Sequence, residues 1–511
     1  MNANTYSRLS ARFDAAAPFI GRSGADDCSY SRLHLRSAQW AHALRSLGVQ
    51  PGDRVAAQID KSLEGICLYL GTLRAGAAFL PLNSAYTPAE MAYFVADSEP
   101  RVLVCTPGKA DALQSVASAH PGTHLRTLGT GGAGDLTALV NAQGDAFADV
   151  ARADGDLAAI LYTSGTTGRS KGAMLTHANL WSNAEVLRVA WHYGAGDVLL
   201  HALPIFHIHG LFVAINLTLA AGASLLLLPR FEPDAVFAAL PYCNVMMGVP
   251  TFYVRLLQDA RLTAAATLHM RLFVSGSAPL LAETHRAWRE RTGHAILERY
   301  GMTETGMNAS NPYEGERVAG TVGPPLPGVD IRVVDAETGQ PVRPGEVGMI
   351  EVRGPNVFAG YWRNPEKTRA EFRDDGYFVT GDLGRFDELG YLQIAGRGRD
   401  LIISGGFNVY PKEVEDELDV LPGVAESAVI GLAHADFGEG VTAVVVAPHR
   451  SATLTEAAVL ARLRERLAAY KCPKRVLFVE DLPRNTMGKV QKNVLRDLYR
   501  DLYSDQESNP T

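Results

Sequence analysis

A ten-residue segment, Thr163-Ser-Gly-Thr-Thr-Gly-Arg-Ser-Lys-Gly172, has the composition of a loop that holds the phosphates of a nucleotide. Glycines let backbone N–H groups approach an anion closely, hydroxyls add donors, and Lys171 supplies a mobile positive charge. A Walker A loop needs four residues between its glycines and then Lys-Ser or Lys-Thr. Here Gly165 and Gly168 are closer together, and Gly172 follows Lys171. The segment thus predicts a phosphate site that differs from that of a P-loop NTPase, with a polar surface loop as the alternative.

The elements beside this loop support the first interpretation. The apolar run 157–162 predicts a buried strand before it, and a helix capped near Thr176 is predicted after it. Further apolar runs alternate with helical patterns over residues 50–300, which indicates an α/β protein with largely parallel sheets. The predicted strands there are 55–57, 101–105, 245–249 and 272–275.

The character of the chain changes twice after residue 320. Glycine- and proline-rich turns with short strands such as 348–353 predict a β subdomain over about 320–395. Residues 400–500 then predict a small α+β unit with helices 411–418 and 456–469 and strands 427–430 and 441–446. We therefore predict an α/β fold with a large N-terminal domain, residues 1–398, and a smaller C-terminal domain, residues 399–511.

Composition excludes several classes of function. The 511 residues carry 48 Lys and Arg against 55 Asp and Glu, a net charge of −7, which argues against nucleic-acid or anionic membrane partners. Five scattered cysteines without a C-x-x-C pair argue against a zinc site and indicate a reducing compartment. An apolar signal segment is missing at the N-terminus, so we expect a cytoplasmic protein, with a transit peptide as the weaker alternative. The uncharged stretch 211–229 predicts a buried helix and strand rather than a membrane span.

Four further motifs follow the loop in order: Tyr300-Gly-Met-Thr-Glu304, Thr380-Gly-Asp382, Gly396-Arg397 and Asn485-Thr-Met-Gly-Lys489. Taken singly, these acids and bases are also compatible with capping or solvated residues. Together with the loop they resemble the adenylate-forming superfamily of acyl-CoA synthetases, peptide-synthetase adenylation domains and luciferases, over almost the whole chain. The resemblance implies that a carboxylic acid and ATP-Mg²⁺ give an acyl-adenylate and pyrophosphate, and that a thiol then attacks the adenylate.

The resemblance also implies roles for individual residues. Glu304 would be the acid of the Mg²⁺ site, with Thr303 donating to a phosphate. Asp382 would accept hydrogen bonds from the ribose, and Arg397 would contact the ribose and phosphate region. The remaining residues expected to bind ATP are Thr163, Ser164, Gly165, Thr166, Thr167, Gly168, Lys171, Ser277, Ala278, Glu298, Arg299 and Tyr300.

Lys489 corresponds to the lysine that stabilises the pentavalent phosphorus during adenylation. In the family the small domain then rotates and withdraws this lysine. The hinge position is Arg399, where relatives usually have Asp or Lys, and the segment expected to bind CoA contains Gly405, Gly406 and Phe407. Acetylation would remove the charge of Lys489, so a lysine acetyltransferase is a candidate partner.

The acid that is activated has to be inferred from the predicted acyl pocket. His207, in Leu203-Pro-Ile-Phe-His-Ile-His209, could donate a hydrogen bond to the carboxylate under attack. Pro250 opens a predicted helix on which Thr251 and Arg255 share a face. A guanidinium in a closed pocket is costly unless an anion pairs with it, and a second carboxylate on the substrate would do so. A salt bridge of Arg255 on the helix surface is the alternative.

This arrangement resembles malonyl-CoA synthetases within the superfamily, as do Gly168-Arg-Ser-Lys-Gly172, Asn311-Pro-Tyr-Glu-Gly315 and Tyr470-Lys-Cys-Pro-Lys474. The resemblance implies malonate as the acid and methylmalonate as a secondary substrate. The residues it places at the acid are His207, Ile208, Arg255, Ser277, Met302 and Met307, with Ile208 and Met307 closing a short pocket. The alternatives are another short-chain or aryl carboxylate–CoA ligase, a carrier-loading adenylation domain, a luciferase-like oxidase, and a catalytically silent nucleotide-binding scaffold.

Overall fold

The computed structural model describes residues 2–21, 27–163, 170–405, 407–434, 436–448, 454–485 and 488–503. The strands in chain order are β1 (Pro18–Ile20), β2 (Cys28–Ser29), β3 (Arg54–Gln58), β4 (Ala78–Pro81), β5 (Val102–Cys105), β6 (His124–Thr127), β7 (Leu157–Thr163), β8 (Lys171–Thr176), β9 (Val198–His201), β10 (Ser224–Leu227), β11 (Val245–Gly248), β12 (Leu272–Ser275), β13 (Leu297–Met302), β14 (Gly306–Ser310), β15 (Asp330–Val334), β16 (Gly348–Arg353), β17 (Phe378–Phe386), β18 (Leu392–Arg397), β19 (Ile402–Ser404), β20 (Phe407–Val409), β21 (Glu426–His434), β22 (Gly438–Val446) and β23 (Arg475–Val479).

Helices connect most of these strands. In chain order they are α1 (Thr5–Ser10), α2 (Tyr30–Ser46), α3 (Leu63–Arg74), α4 (Pro88–Ser98), α5 (Ala110–Ser118), α6 (Asp135–Asn141), α7 (His177–Ala190), α8 (Asn216–Ala221), α9 (Pro233–Ala239), α10 (Pro250–Leu257), α11 (Ala264–Thr267), α12 (Ala282–Thr292), α13 (Pro365–Glu371), α14 (Pro411–Asp419), α15 (Glu456–Arg464) and α16 (Lys492–Tyr499). A π-helical segment, His209–Ile215, leads directly into α8. Within the described residues, no helix is long and apolar enough to cross a membrane.

Two mostly parallel sheets form the body of the N-terminal part. One has the order β6-β5-β3-β4-β7-β8 and the other β14-β13-β12-β11-β9-β10-β1-β2. The outer pairs β7–β8, β13–β14 and β1–β2 are antiparallel, and the inner pairs are parallel. Since the inner strands are covered on both faces, they are continuous apolar runs such as Val102–Cys105 rather than alternating ones. The carboxyl ends of the inner strands meet along one edge of each sheet.

A four-stranded antiparallel sheet, β15-β16-β17-β18, follows, and then a five-stranded sheet with the order β20-β19-β22-β21 and β23 beside β22. The latter sheet has its own apolar core, in which Val414 and Leu418 of α14 pack against Val429, Val441 and Val445. The predicted fold class is therefore confirmed: a large α/β part with a β subdomain, and a smaller α+β part. The boundary between residues 398 and 399 stays a prediction.

Local sequence explains the elements beside the phosphate loop. Thr176 accepts a hydrogen bond from the N–H of Asn179, whose side chain accepts from Thr176 N–H, and this capping box starts α7. The predicted strand and helix are thus confirmed. One strand between them was not predicted: Lys171–Thr176 forms β8, which pairs antiparallel with β7.

Two elements elsewhere in the chain also test the predictions. Helix α15 ends at Arg464, earlier than the predicted 469. The stretch 211–229 is a buried helical segment followed by β10, as predicted.

The side chain of Arg74 shows how the first helices are fixed. Arg74 is 1% exposed and ends α3. Its guanidinium pairs with Asp149 at 2.7 Å and donates to the carbonyls of His34 at 2.7 Å and Phe147 at 2.9 Å. These bonds join α2, α3 and the segment after α6, so this cation is buried but fully partnered.

We expect Arg74→Met to lower the free energy of unfolding by about 3 kcal/mol, because it leaves buried acceptors without a donor. Urea unfolding followed by far-UV circular dichroism measures this change. Arg343→Met is the matched control, since the Arg343–Glu346 pair is exposed and worth less than about 1 kcal/mol. Equal losses in the two variants would contradict the role of the buried network.

Candidate active site

Several of the residues predicted to contact ATP and the acid lie at or beside the carboxyl edge of the eight-stranded sheet. His201, Gly248 and Ser275 end β9, β11 and β12, and Glu298 and Arg299 lie on the neighbouring β13. Ligands bind preferentially at such an edge of a parallel α/β sheet. Several buried polar atoms here lack a partner within the described part of the chain: Ser275 Oγ, His209 Nε2, Glu298 Oε2, and Arg299 Nε and Nη2.

Glu304 lies in the turn between β13 and β14 and is buried. Its Oε1 is 3.3 Å from Thr163 Oγ1 and 3.2 Å from Tyr361 Oη, and burial raises the pKa of the carboxyl. The same Tyr361 hydroxyl donates to Glu371 Oε2 at 2.6 Å. Tyr361 thus links two carboxylates, and one of them contacts Thr163, the first residue of the predicted phosphate loop. Hard oxygen ligands of this kind suit Mg²⁺, which binds one or two carboxylates together with substrate phosphates.

Lys171, at the start of β8, faces the same cluster. Its Nζ lies 3.9 Å from Glu371 Oε1 and 5.3 Å from the ring centre of Tyr361. Burial, and then the neighbouring Lys367, lower the pKa of Lys171. The lysine is therefore a desolvated cation next to the phosphate loop, with a carboxylate that could exchange for a phosphate. Ser164, Gly165, Thr166, Thr167 and Gly168 of the predicted ATP set lie outside the described residues.

The β subdomain contributes Asp382 and Arg397, which are directly opposite on β17 and β18. Asp382 is buried, its Oδ1 is 2.8 Å from Arg397 Nε, and its Oδ2 accepts from the Tyr300 hydroxyl at 2.6 Å. Asp382 raises the pKa of Arg397. The structure therefore brings together three predicted nucleotide residues from two sheets, and each oxygen of the Asp382 carboxylate contacts one of the other two residues.

Lys489 approaches this group from the C-terminal part. Its backbone N–H donates to Asn485 Oδ1 at 2.9 Å, which closes the turn that presents the lysine. Burial, and then the positive charge of Arg397, lower the pKa of Lys489 to about 8. Gly488, with φ +73°, lies against α10, since a Cβ placed on it would be 3.0 Å from Thr251 Oγ1. The lysine thus lies at the site, in contact distance of the N-terminal part.

The acyl segment, which we define as residues 201–210, carries His207. His207 Nδ1 accepts from the backbone N–H of His209 at 3.2 Å, so the neutral ring carries its proton on Nε2. Burial lowers the pKa of His207 to about 4, which keeps the ring neutral. His207 can therefore donate one hydrogen bond from Nε2. His209 is 3.1 Å from Ser277 Oγ, and Ser277 adopts a left-handed backbone with φ +70°.

Arg299 is a buried guanidinium beside this segment. It lies so close to the backbone of Gly276 that a Cβ there would be 2.3 Å from Arg299 Cζ. Its charge contributes to the lowered pKa values of His207 and His209, while its own pKa is lowered to about 9 by burial. Because two of its N–H sites have no acceptor in the described residues, Arg299 is prepared to bind an anion.

Arg255 has a different environment from the predicted one. The guanidinium is exposed and lies 5.2 Å above the ring of Phe231, rather than in a closed pocket. No ion pair to it occurs within the described residues, so the alternative of a surface salt bridge is not seen either. The premise of burial was therefore wrong for Arg255, because α10 turns this side chain outward. Its role at the substrate stays a prediction.

The other predicted substrate and ATP residues occupy the same region. Ile208 and Met307 are buried, and the backbone of Met307 is held by the Asn183 amide at 3.1 and 3.2 Å. Glu298 is buried, accepts from Leu280 N–H at 3.1 Å, and burial raises its pKa to about 8. The half-buried positions of the set are Ala278, Met302 and Thr303.

The predicted hinge and CoA residues lie on the C-terminal side. Arg399 is exposed in a short 3-10 turn, next to Asp400, which accepts from Arg496 at 2.6 Å. Gly405 adopts φ +60°, and Phe407 is 57% exposed with its ring stacked on Tyr470 at 4.7 Å. Gly406 lies outside the described residues. An exposed aromatic pair of this kind can contact a ligand, and these assignments stay predictions.

Sequence reasoning missed Tyr361 and Glu371. Both follow the β subdomain's first strands in the chain and reach the phosphate loop only because the backbone of residue 362 bonds that of Gly172 at 2.7 Å. No local pattern marks such a contact. Ser275 ends a predicted strand, but the strand pattern could not predict that its hydroxyl is buried without a partner among the described residues.

Two family models match this chain: the AMP-binding enzyme family over residues 9–362, and the AMP-binding enzyme C-terminal domain over residues 413–489. The chain belongs to the AMP-binding enzyme family. It is 35% identical to a malonate–CoA ligase of Arabidopsis thaliana, over 96% of this chain and 86% of that protein. It is 38% identical to a feruloyl-CoA synthase of an Amycolatopsis species, over 93% and 94%.

Among solved structures, ATP-bound MatB from Rhodopseudomonas palustris is 58% identical and superimposes with a TM-score of 0.96, over 98% of this chain and all of that one. This similarity agrees with the ordered set of motifs in the sequence. AMP-binding ligases use an acid, ATP and CoA as small-molecule substrates.

We expect the adenylation step to slow above about pH 8, because a lysine is a cation only below its pKa and that of Lys489 is lowered to about 8. ATP–pyrophosphate exchange, which does not involve CoA, measures this step. In Lys489→Arg the side chain stays charged, so its exchange rate, although lower, should not fall over pH 7.5–9. The same alkaline decline in both proteins would contradict the assignment.

Proposed function

We propose that this protein is an AMP-forming ligase that joins malonate to CoA. The observation that carries the choice of acid is the buried Arg299 guanidinium, which has two N–H sites without a partner among the described residues and whose charge helps to lower the pKa of His207. The similarity to malonate–CoA ligases from plant and mammals supports the same substrate. A monocarboxylate would leave this cation unpaired, whereas the second carboxylate of malonate would pair with it.

The reaction has two steps. One malonate carboxylate oxygen attacks the α-phosphorus of ATP, the bond to the bridging oxygen breaks, and pyrophosphate leaves. The CoA thiol, after losing its proton, then attacks the carbonyl carbon of malonyl-AMP, and AMP leaves with the oxygen that came from malonate. The products are malonyl-CoA, AMP and pyrophosphate.

We assign the first step to residues of both parts of the chain. His207 donates from Nε2 to the attacking carboxylate and so orients it. Lys489 places a positive charge at the α-phosphate, where charge increases in the transition state. Lys171 neutralises the outer phosphates, and Asp382 accepts from the ribose hydroxyls. Mg²⁺, when bound, would neutralise phosphate charge, with Glu304 as its carboxylate and Thr303 beside it.

Arg299 and Arg255 have separate roles in this proposal. Arg299 binds the distal carboxylate, because burial makes its charge costly, Glu298 offsets only part of that cost, and two of its N–H sites have no acceptor among the described residues. Arg255, exposed on α10, attracts the dianion electrostatically from the surface of the protein. Ile208 and Met307 close the pocket, which admits malonate or methylmalonate.

The second step requires a different arrangement of the C-terminal part. Rotation at Arg399 would withdraw Lys489 and bring Gly405, Gly406 and Phe407 to the adenylate for binding of CoA. The turn around Gly488, which lies against Thr251, is then one of the contacts that must open. Cytoplasmic location and acetylation of Lys489 stay predictions.

The substrate proposal predicts that malonate supports pyrophosphate release while acetate, butyrate and ferulate do not. Arg299→Met should lower kcat/KM for malonate about 100-fold, the effect expected when a buried charge pair loses one partner. Arg255→Ala should cost less than tenfold, with a larger effect at low salt, because an exposed charge acts at a distance.

The result that contradicts this choice of acid is ferulate or acetate being preferred by the wild-type protein. In that case the chain is another carboxylate–CoA ligase. If malonate is preferred but Arg299→Met retains that preference and Arg255→Ala loses it, the substrate stands and the assignment of the two arginines is reversed.

The two-step assignment predicts that Lys489→Ala removes at least 99% of ATP–pyrophosphate exchange, since one transition-state cation contributes about 100-fold or more. The same variant should convert supplied malonyl-AMP and CoA to malonyl-CoA within about threefold of the wild-type rate. Lys474→Ala, a lysine outside the proposed ATP site, is the control for exchange. Equal loss of both half-reactions in Lys489→Ala would contradict the assignment.

A further inference from the structure

The acyl segment is a loop that returns on itself. A Cβ on Gly210 would lie 2.1 Å from the carbonyl oxygen of Pro204, so the two sides of the loop meet at this point. Gly210 belongs to the π-helical segment His209–Ile215, within which Leu211 N–H donates to His207 O at 3.0 Å. We call the closure between residues 201–204 and Gly210 the neck of the acyl segment. His207 and Ile208 lie in the part of the loop that the neck closes off. Their position therefore depends on what holds residues 201–204 against Gly210.

Lys61 reaches this neck from the other parallel sheet. It lies between β3 and α3, and its Nζ donates to Leu203 O at 2.8 Å and His201 O at 3.2 Å. No carboxylate lies within ion-pair distance of it among the described residues, and burial lowers the pKa of its amine to about 7. A half-buried lysine whose desolvation is not offset by an acid among the described residues is unusual; here its donors hold two carbonyl oxygens and face the ring of His201.

His201 completes the connection. Its Nε2 is 2.8 Å from Gly210 O and therefore carries the proton, which leaves Nδ1 as the acceptor that faces Lys61 Nζ at 3.5 Å. Lys61 thus holds one side of the neck directly. It also fixes the ring of His201, which holds the other side at Gly210.

We infer that Lys61 is a positioning residue for the acid substrate: through Leu203, His201 and Gly210 it fixes the loop that carries His207 and Ile208. It does not touch the acid or ATP. The inference rests on the proposed function for the identity of the acid. Displacement of His207 by about 1 Å would weaken both orientation of the carboxylate and closure of the pocket.

The test compares Lys61→Met, which keeps the length of the side chain without its donors, with Lys61→Arg, which keeps donors. Lys61→Met should raise KM for malonate about tenfold and lower kcat, while the Kd of ATP measured by calorimetry stays within twofold. Lys61→Arg should recover most of the loss. Lys109→Met is the matched control, because Lys109 also donates to a backbone carbonyl, that of Ser84, and should leave both constants unchanged.

A structural readout is independent of turnover. In protein labelled with 15N-histidine, Lys61→Met should change the chemical shifts of the ring nitrogens of His201 and His207, while those of His285 and His294 stay in place. The signals are assigned with His201→Gln and His207→Gln.

The outcomes separate the two proposals. Wild-type protein that turns over none of the acids would overturn the proposed function, and the ring shifts would still decide the role of Lys61. Unshifted His207 nitrogens, or equal changes in ATP and malonate binding, would overturn the positioning role. If Lys61→Met does not fold, the same measurements are made on Lys61→Arg. A tenfold higher KM for malonate in Lys61→Arg, with ring nitrogens identical to those of the wild type, would contradict the positioning role of Lys61.

Discussion

The ion pair between Asp382 and Arg397 lies where three parts of the molecule meet. Both residues belong to the antiparallel β subdomain, Tyr300 reaches them from the parallel sheet, and Lys489 adds a second cation from the C-terminal part. Burial and the charge of Arg397 lower the pKa of Lys489, while Asp382, Glu304 and Asp400 raise the pKa of Arg397. An anion placed between the two cations, such as a nucleotide phosphate, would therefore stabilise the charged form of Lys489. Withdrawal of Lys489 would relieve the repulsion between the cations once that anion has left.

At the acyl end of the site, several buried polar groups have no hydrogen-bond partner among the described residues. Natural structures bury few donors or acceptors without a hydrogen bond, because each one costs free energy. Here Arg299, His209 and Ser275 concentrate such atoms along one sheet edge. Gly276 makes room for the guanidinium, and the left-handed backbone at Ser277 directs its hydroxyl to His209. The edge is arranged to be completed by a substrate rather than by the chain.

Many of the strands and helices could be predicted because each is marked by a pattern in its own stretch of sequence. Apolar runs predicted β3, β5, β7, β11 and β12, and the change of character near residue 400 predicted the small α+β part. The strand β8 was missed, since Lys171–Thr176 is too polar to form a recognisable run and is stabilised by its pairing with β7. Arg255 was expected in a closed pocket because helical spacing gives the shared face of Thr251 and Arg255, but not the direction in which that face points.

The sequence by itself determined the class of chemistry: the loop, Glu304, Asp382, Arg397 and Lys489 follow in an order that identifies an AMP-binding enzyme. It did so because each motif is short and needs only its own residues. Tertiary structure alone decided that Arg299 is buried with free N–H groups while Arg255 is exposed, that Glu371 and Tyr361 accompany Glu304, and that Lys61 holds the acyl segment. Burial and pairing depend on residues from separate elements of the chain, such as Lys61 and Leu203, which come together only when the sheets pack.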